Sequence, residues 1–332
     1  MYDFETERVA GEIRSRGARR VLVQLPDGLR PYAFDLVESL SKETGAEVIL
    51  SGDSCYGACD LASRQTSELD ADLLVHYGHT PFVETDIPVL YVEARIPVDV
   101  AALVKAALPL MDGWRCVALA TTVQHAHQLG EVADALRAAG KEPYTGKGGG
   151  KTPLDGQVLG CMYAAATAVP AEVDGFLFVG GGNFHPLGLA LSSGKPVVIA
   201  NPYNGTVTPL GDSELMQLAK RRAAAIAYAK NAKRIGILVS SKPGQAAMEM
   251  ARGVRDKLNA RGISAFLIYL DEVKPQTLEN FSEADAFVDT ACPRIALDGV
   301  PGVARPILTL PEVSVLTGDR TWEDLWSRGY LA

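Results

Sequence analysis

One unit of sequence recurs three times along this chain, and the recurrence limits the fold more than any single motif does. Apolar, β-branched runs at 19–24 (RRVLVQ), 114–120 (WRCVALA) and 232–239 (AKRIGILV) each end in a polar turn and pass into a helical segment. Runs that are apolar almost without alternation belong to strands covered on both faces, as in a parallel sheet with helices on either side. The helical segments, 31–45, 123–140 and 244–262, run to Gly45, Gly140 and Gly262. Glycine enters the left-handed region without a Cβ penalty and so ends helices cheaply. Three further strand-like runs follow every helix. They are AEVILSGD, DADLLVHYGH and IPVLYVEA in the first unit, and GQVLGC, VDGFLFVGGG and KPVVIANP in the second. The third has ISAFLIYL, EADAFVDTAC and RPILTLPE. A long repeat of this kind sets the architecture before local motifs are weighed. It predicts three doubly wound α/β domains, residues 1–108, 109–212 and 213–332, each of about 110 residues, near the common domain size.

Composition closes off several classes. The chain has 332 residues, 47 % hydrophobic and 22 % charged, within the globular range. No apolar run approaches the roughly 20 residues of a membrane span. The first residues, MYDFETERVAGEIRSRG, are charged and carry no apolar signal core, so a soluble cytoplasmic protein is expected. Net charge is −8 and the basic residues are scattered, which is not the footprint of a nucleic-acid binder. The five cysteines are Cys55, Cys59, Cys116, Cys161 and Cys292. An odd count and a reducing compartment argue against a disulfide framework. Buried thiol, nucleophile and metal ligand remain.

Open α/β sheets bind ligands beyond the carboxyl ends of their strands. The polar turns there are Asp27-Gly28, Ser51-Gly52-Asp53, Thr121-Thr122, Gly180-Gly181-Gly182 and Ser240-Ser241-Lys242. Cys59 and Cys161 lie at or just past the second strand of the first two units, and Cys292 just past the third strand of the last. Each unit therefore offers one thiol at its ligand-binding edge. Cys116 opens its strand at the opposite edge and is expected in the core. If the three edges meet on a pseudo-threefold axis, three thiolates can hold a 4Fe–4S cluster by three corners and leave one iron open. Such clusters select soft, anionic ligands. Three unrelated buried cysteines would produce the same spacing. Gly57 and Ala58 let the backbone pack closely around a bulky group before Cys59, which favours Cys59 over Cys55.

Other chemistries are less well served. Cys55, Cys59, His76 and His79 make a zinc-like set, but residues three apart on a strand point to opposite faces. Only one histidine is expected to face Cys59. The HAH at 125–127 is expected to be a solvated or capping pair. The stretch TGKGGGKT (145–152) nearly spells a phosphate loop. It lacks the first glycine and a preceding apolar strand, and Pro153 stands where a helix should begin; a flexible loop is expected. The run Gly180–Gly182 lacks the later glycine of a dinucleotide fingerprint, because His185 occupies that place. No Gly-x-Ser-x-Gly elbow is present. A non-enzymatic small-molecule binder on the same α/β frame is the rival from another class.

Six stretches occur in order: GDSCYGACD, LLVHYGHTP, TTVQHAHQL, GQVLGC, FHPLGLAL and DTACPRIALDG. Together they resemble the archaeal members of the diphthamide-synthesis radical enzymes, the 3-amino-3-carboxypropyl transferases, from about Gln24 to Pro311. The resemblance implies three homologous α/β domains in a pseudo-threefold triangle with a 4Fe–4S cluster at the centre. By matching motifs, its ligands are Cys59 in YGAC, Cys161 in VLGC and Cys292 in TACPR. Related eukaryotic sequences carry a non-cysteine residue at the position of Cys55, which supports its exclusion. The Cys-x3-Cys-x2-Cys motif of ordinary radical S-adenosylmethionine enzymes is absent from the family and from this chain.

The implied reaction is reductive cleavage of S-adenosylmethionine between sulfur and the γ-carbon. It gives methylthioadenosine and a 3-amino-3-carboxypropyl radical, which adds to a histidine ring carbon of translation elongation factor 2. The resemblance further implies a homodimer and an electron donor. Candidate substrate clamps on the edge turns are Asp27, Gly28, Gln124, Gly180, Ser240, Lys242 and Arg294. Lys242 or Arg294 suits the methionine carboxylate, since a cation pairs with that group.

Overall fold

Each of the three recurring apolar runs forms an inner strand of its own sheet. The computed structural model describes residues 2–327 and residue 330. In the first sheet, β1 (Arg20–Gln24), β2 (Glu47–Leu50), β3 (Leu73–Tyr77) and β4 (Val89–Val92) lie in the order β2-β1-β3-β4. The second contains β5 (Cys116–Thr121), β6 (Glu142–Thr145), β7 (Gly175–Val179), β8 (Val197–Asn201) and β9 (Thr206–Pro209), ordered β6-β5-β7-β8-β9. The third contains β10 (Arg234–Ser240), β11 (Ser264–Leu270), β12 (Ala286–Asp289) and β13 (Ile307–Leu308), ordered β11-β10-β12-β13. One permutation thus recurs, with β9 added at one edge. The first and third sheets are parallel throughout, and β5 is parallel to both of its neighbours. The chain is an α/β protein built on parallel sheets, as the repeat predicts.

Burial explains why these runs read as continuous apolar sequence. Val21 and Val23 pack into one core with Ile13, Leu36 and Val75, while Leu22 between them packs on the other face with Leu61 and Leu74. The third sheet repeats this: Ile235, Ile237 and Val239 enter one cluster and Leu238 another. Side chains alternate between faces along a strand, so a strand covered on both sides has no polar positions to spare. The helices stop as predicted, with Gly45 at φ 71°, Gly140 at 79° and Gly262 at 79°.

An aspartate holds the amino-terminal edge of every sheet. Asp72 accepts the N–H groups of Arg19 and Arg20 at 2.7 and 2.9 Å. Asp174 accepts those of Arg115 and Cys116 at 2.7 and 2.8 Å, and Asp285 those of Lys233 and Arg234 at 2.7 and 2.9 Å. These are the acidic lead-ins to the third strand of each unit. Each satisfies two donors at the start of the first strand, which the ladder leaves without partners. The N–H groups of Arg20 and Arg19 hold Asp72 below the usual carboxylate range, and those of Arg234 and Lys233 do the same for Asp285. A depressed folded-state pKa stabilises the fold above the unfolded value of about 3.9 and loses that effect as pH falls through the folded value. Asp72→Asn and Asp285→Asn are therefore expected to lower the urea midpoint at neutral pH, with a deficit that shrinks below about pH 4. An equal deficit at both pH values would show that charge plays no part.

Two segments depart from the sequence expectation. The predicted strand GQVLGC makes only isolated bridges, Thr121↔Gln157 and Leu159↔Met162. The second strand of that sheet is β6, which directly follows the helix stop and pairs with β5 from Cys116↔Glu142 to Leu119↔Thr145. With that edge of β5 already taken, only its last residue is left for Gln157. TGKGGGKT is a loop, but a strand does precede it: β6 runs into its first residue, Thr145. Gly149 and Thr152 exchange backbone bonds of 2.8 and 3.1 Å, and Lys147 pairs with Asp155 at 2.8 Å. A Cβ at Gly146 would lie 2.0 Å from the Ala165 carbonyl oxygen, and one at Gly148 would lie 2.3 Å from that of Pro153. No helix follows to receive a phosphate.

By internal contacts the chain forms two compact units. One comprises Met1–Val158, Ala164–Gly181 and Ala200–Val207; the other comprises Leu159–Tyr163, Gly182–Ile199 and Thr208–Ala332. Cys59 belongs to the first unit, and Cys161 and Cys292 to the second. Among the described residues no helix is long and apolar enough to cross a membrane.

Candidate functional site

The segment bearing Cys59 has no regular structure, and the last residue of β1 pins it. Gln24, 2 % exposed, donates from Nε2 to the Asp60 carbonyl at 2.7 Å and accepts the Ala62 N–H on Oε1 at 3.1 Å. Asp60 N–H closes a turn onto the Gly57 carbonyl at 2.9 Å. The chain must therefore pass Cys59, which is half-buried, before re-entering the core at Ala62. Gly57 is in ordinary contact with Cys59: a Cβ there would lie 3.5 Å from its Sγ.

In the second unit, the exposed Cys161 sits on a segment fastened from both sides. A Cβ at Gly160 would lie 2.5 Å from the Phe184 ring, so the residue before the cysteine has to be glycine for the ring to keep its place. The Arg294 guanidinium lies over the same ring, 4.0 Å from its centroid. Arg294 also pairs with Asp298 at 2.9 Å. Two residues after Cys161, Tyr163 inserts where Gly188 leaves room; a Cβ at 188 would fall 1.8 Å from its hydroxyl.

Cys292 caps the helix Pro293–Asp298 and is half-buried. The Asp289 carboxyl at the end of β12 accepts the N–H of Ala291 at 2.9 Å and engages the N–H of Cys292. Burial pushes this carboxyl up to about 7 against those two bonds. Burial also raises the Tyr163 phenol, negative charge on Cys161 and Cys292 adds to that, and Arg294 opposes it. Arg294 also lies against the Cys161 segment, its Cδ 3.4 Å from where a Cβ at Gly160 would stand. His185 in the same unit is held neutral, its pKa lowered to about 4 by burial and then by Arg294.

The other candidate residues are placed less uniformly. Asp27 and Gly28 lie on an exposed turn, with Asp27 paired to Arg30 at 3.1 Å. Gln124 donates to the Gly78 carbonyl at 2.9 Å. Gly180 is buried, and a Cβ there would lie 2.9 Å from the Phe178 ring. Ser240, the last residue of β10, and Lys242 just past it are buried, and Ser240 Oγ accepts the Lys242 N–H at 3.1 Å.

Three side-chain expectations need correction. Cys116 is not core: it lies half-buried at the amino-terminal sheet edge, 3.5 Å from Glu142. Burial and then that carboxylate push its thiol up. His125 is not solvated but fully buried, between the Ile96 carbonyl at 3.3 Å and the Tyr203 hydroxyl at 3.2 Å; only His127 is exposed. Strand alternation does not separate His76 from His79. β3 ends at Tyr77, Gly78 turns at φ 82°, and the His79 ring comes back to 3.0 Å from His76. Cys55 joins this pair, with the three ligand atoms within 4.8 Å of one another. Sequence inspection gave Tyr163, Phe184 and Asp289 no role; the glycines at 160 and 188 were the available signal for the first two.

Known proteins resemble this arrangement over nearly its whole length. The 2-(3-amino-3-carboxypropyl)histidine synthase of Pyrococcus horikoshii is 35 % identical over 322 residues, covering 96 % of this chain and 92 % of that protein. Subunit 1 of the human synthase is 30 % identical over 339 residues, covering 100 % of this chain and 75 % of the human one. The crystal structure of Dph2 from Pyrococcus horikoshii with a 4Fe–4S cluster superposes with a TM-score of 0.88 at 35 % identity, covering 97 % of this chain and 93 % of that one. The model of the diphthamide synthesis protein family matches residues 25–327. With a match of that extent and relatives this similar, the chain belongs to the diphthamide synthesis protein family.

Proposed function

We propose that this protein is a 2-(3-amino-3-carboxypropyl)histidine synthase with three α/β domains, at 1–108, 109–212 and 213–332, and that Cys59, Cys161 and Cys292 hold its 4Fe–4S cluster. The observation that carries the proposal is the cluster-bearing crystal structure that matches 97 % of this chain. The donor set fits such a group. The three thiols are half-buried or exposed, as ligands to a bulky cofactor must be. Thiolate is the ligand type that iron–sulfur clusters take. Cys116, held beside a carboxylate that disfavours its thiolate, is a poor fifth candidate.

When bound, the cluster supplies one electron that breaks the sulfur–γ-carbon bond of S-adenosylmethionine, giving methylthioadenosine and the 3-amino-3-carboxypropyl radical. The protein's own part is to position one carbon and exclude side reactions. Arg294, oriented by Phe184 and Asp298, and Lys242 are the cations proposed for the methionine carboxylate, which favours a charge-assisted partner. Asp289 orients the Cys292 backbone. Gly180 is proposed to let the backbone approach the substrate closely. Asp27, Gly28, Gln124 and Ser240 complete the proposed clamp. Roughly 1 Å of misplacement in such a clamp costs about a hundredfold in rate. The radical is proposed to add to a histidine ring carbon of translation elongation factor 2, the adduct then giving up the ring proton and one electron, which balances the one used in cleavage; a separate electron donor and a cytoplasmic homodimer complete the proposed assembly.

The test is anaerobic purification of the full chain, followed by iron and sulfide analysis and incubation with dithionite and S-adenosylmethionine. About four irons and four sulfides per chain and formation of methylthioadenosine are expected. Formation of 5′-deoxyadenosine instead would overturn the choice of bond, and a chain that takes up no cluster on reconstitution would overturn the cofactor.

A further inference from the structure

The thiol and two imidazoles left outside the three-cysteine set lie together in a buried corner of the first unit. The geometry points to a mononuclear site of zinc type in which Cys55 Sγ, His76 Nε2 and His79 Nδ1 hold one borderline divalent cation. Their ligand atoms lie within 4.8 Å of one another, and Cys59 is not among them. Cys55 and His76 are buried, 5 % and 0 % exposed, and His79 is partly so. Soft sulfur combined with imidazole selects zinc and its neighbours over hard cations such as calcium or magnesium.

The protonation pattern around the site suits a metal. Gln24 is oriented by its bonds to Asp60 and Ala62, so its Oε1 faces His76 Nδ1 at 2.8 Å as an acceptor. His76 Nδ1 therefore carries the proton and Nε2 carries the lone pair, aimed at His79 Nδ1 3.0 Å away. A carbonyl that accepts the outer N–H of a ligating histidine is the usual device for setting its tautomer and ring orientation. Two nitrogens on a tetrahedral zinc, each at about 2.0–2.1 Å, stand roughly 3.3 Å apart. The two nitrogens, now a hydrogen-bonded pair, have to separate by about 0.3 Å and turn until both lone pairs converge on the ion. Binding then releases one proton, from the Cys55 thiol, while the His79 proton moves from Nδ1 to Nε2. Three protein ligands leave a fourth position for water. The ion would tie the irregular 51–62 segment, and with it the chain around Cys59, to the end of β3.

The experiment uses the full chain, iron-loaded anaerobically, then exposed to zinc and desalted. One zinc per chain is expected in addition to iron, falling at least about tenfold in Cys55→Ser with iron and sulfide unchanged. Gln24→Ala is expected to weaken zinc affinity by about 10–100-fold through loss of ring orientation. Cobalt serves as an independent probe in a Cys59→Ala/Cys161→Ala/Cys292→Ala chain. A thiolate-to-cobalt charge-transfer band that disappears when Cys55→Ser is added supports the site. Zinc uptake that is absent in the parent chain, or equal in Cys55→Ser, overturns it. Loss of iron rather than zinc in Cys55→Ser overturns it too, because Cys55 would then serve the cluster. Zinc and iron are counted separately, so failure here is distinct from failure of the iron–sulfur assignment.

Discussion

Cys161→Ala, purified anaerobically, is expected to carry well under half the iron and sulfide of the parent chain and to form no methylthioadenosine above background. A cluster held at three corners loses a third of its protein ligands with one thiol, and no carboxylate is a good replacement for a soft thiolate. Cys59→Ala and Cys292→Ala are expected to behave in the same way. Cys116→Ala, at the far edge beside Glu142, is expected to keep both iron and activity, and Cys55→Ala to keep its iron. The readings are iron, sulfide and product per chain. Full cluster content in Cys161→Ala would sink the three-ligand assignment, since its exposed segment offers no second cysteine.

The second large effect lies in stability. Arg222 on the helix Asp212–Ala229 is 6 % exposed, and Glu312 on the helix Leu310–Leu316 is fully buried. Arg222 donates to Glu312 through Nε at 2.8 Å and Nη2 at 2.5 Å, and to the carbonyls of Ala296 and Ile307 at 2.6 and 2.7 Å. Glu312 also accepts the Thr309 N–H at 2.8 Å and the Tyr330 hydroxyl at 2.6 Å. Every strong group in the network is satisfied, so removing one partner strands a buried charge. Glu312→Ala is expected to cost about 3–5 kcal/mol, the usual penalty for breaking a buried pair. The measurement is urea unfolding of the full chain, followed by a probe in the third sheet. A loss below about 1 kcal/mol would mean that water reaches the guanidinium.

Much of the framework was legible because it depends on local rules. The three apolar runs, their glycine stops and the acidic lead-ins each reflect a constraint that acts over a few residues. The lead-in aspartates turned out to be the backbone clasps Asp72, Asp174 and Asp285. The failures share one cause, which is competition that is invisible along the chain. GQVLGC has strand composition, yet β6 reaches the edge of β5 first. His125 looked like a surface histidine, yet its neighbours Ile96 and Tyr203 come from distant segments. The His76–His79 pair obeyed strand alternation only up to Tyr77, after which Gly78 reversed the chain.

The strand period, the parallel sheets and, through six ordered motifs, the family were legible in the amino-acid sequence alone. Those depend on residue type and spacing. Which side chains face one another followed from the folded chain: Gln24 against His76 through the parallel register of β1 and β3, Cys55 against both histidines, and Arg294 over the Phe184 ring. The physical reason is that hydrogen bonds and metal ligands act over about 2–3 Å, a distance set by strand register and turn geometry rather than by separation along the chain.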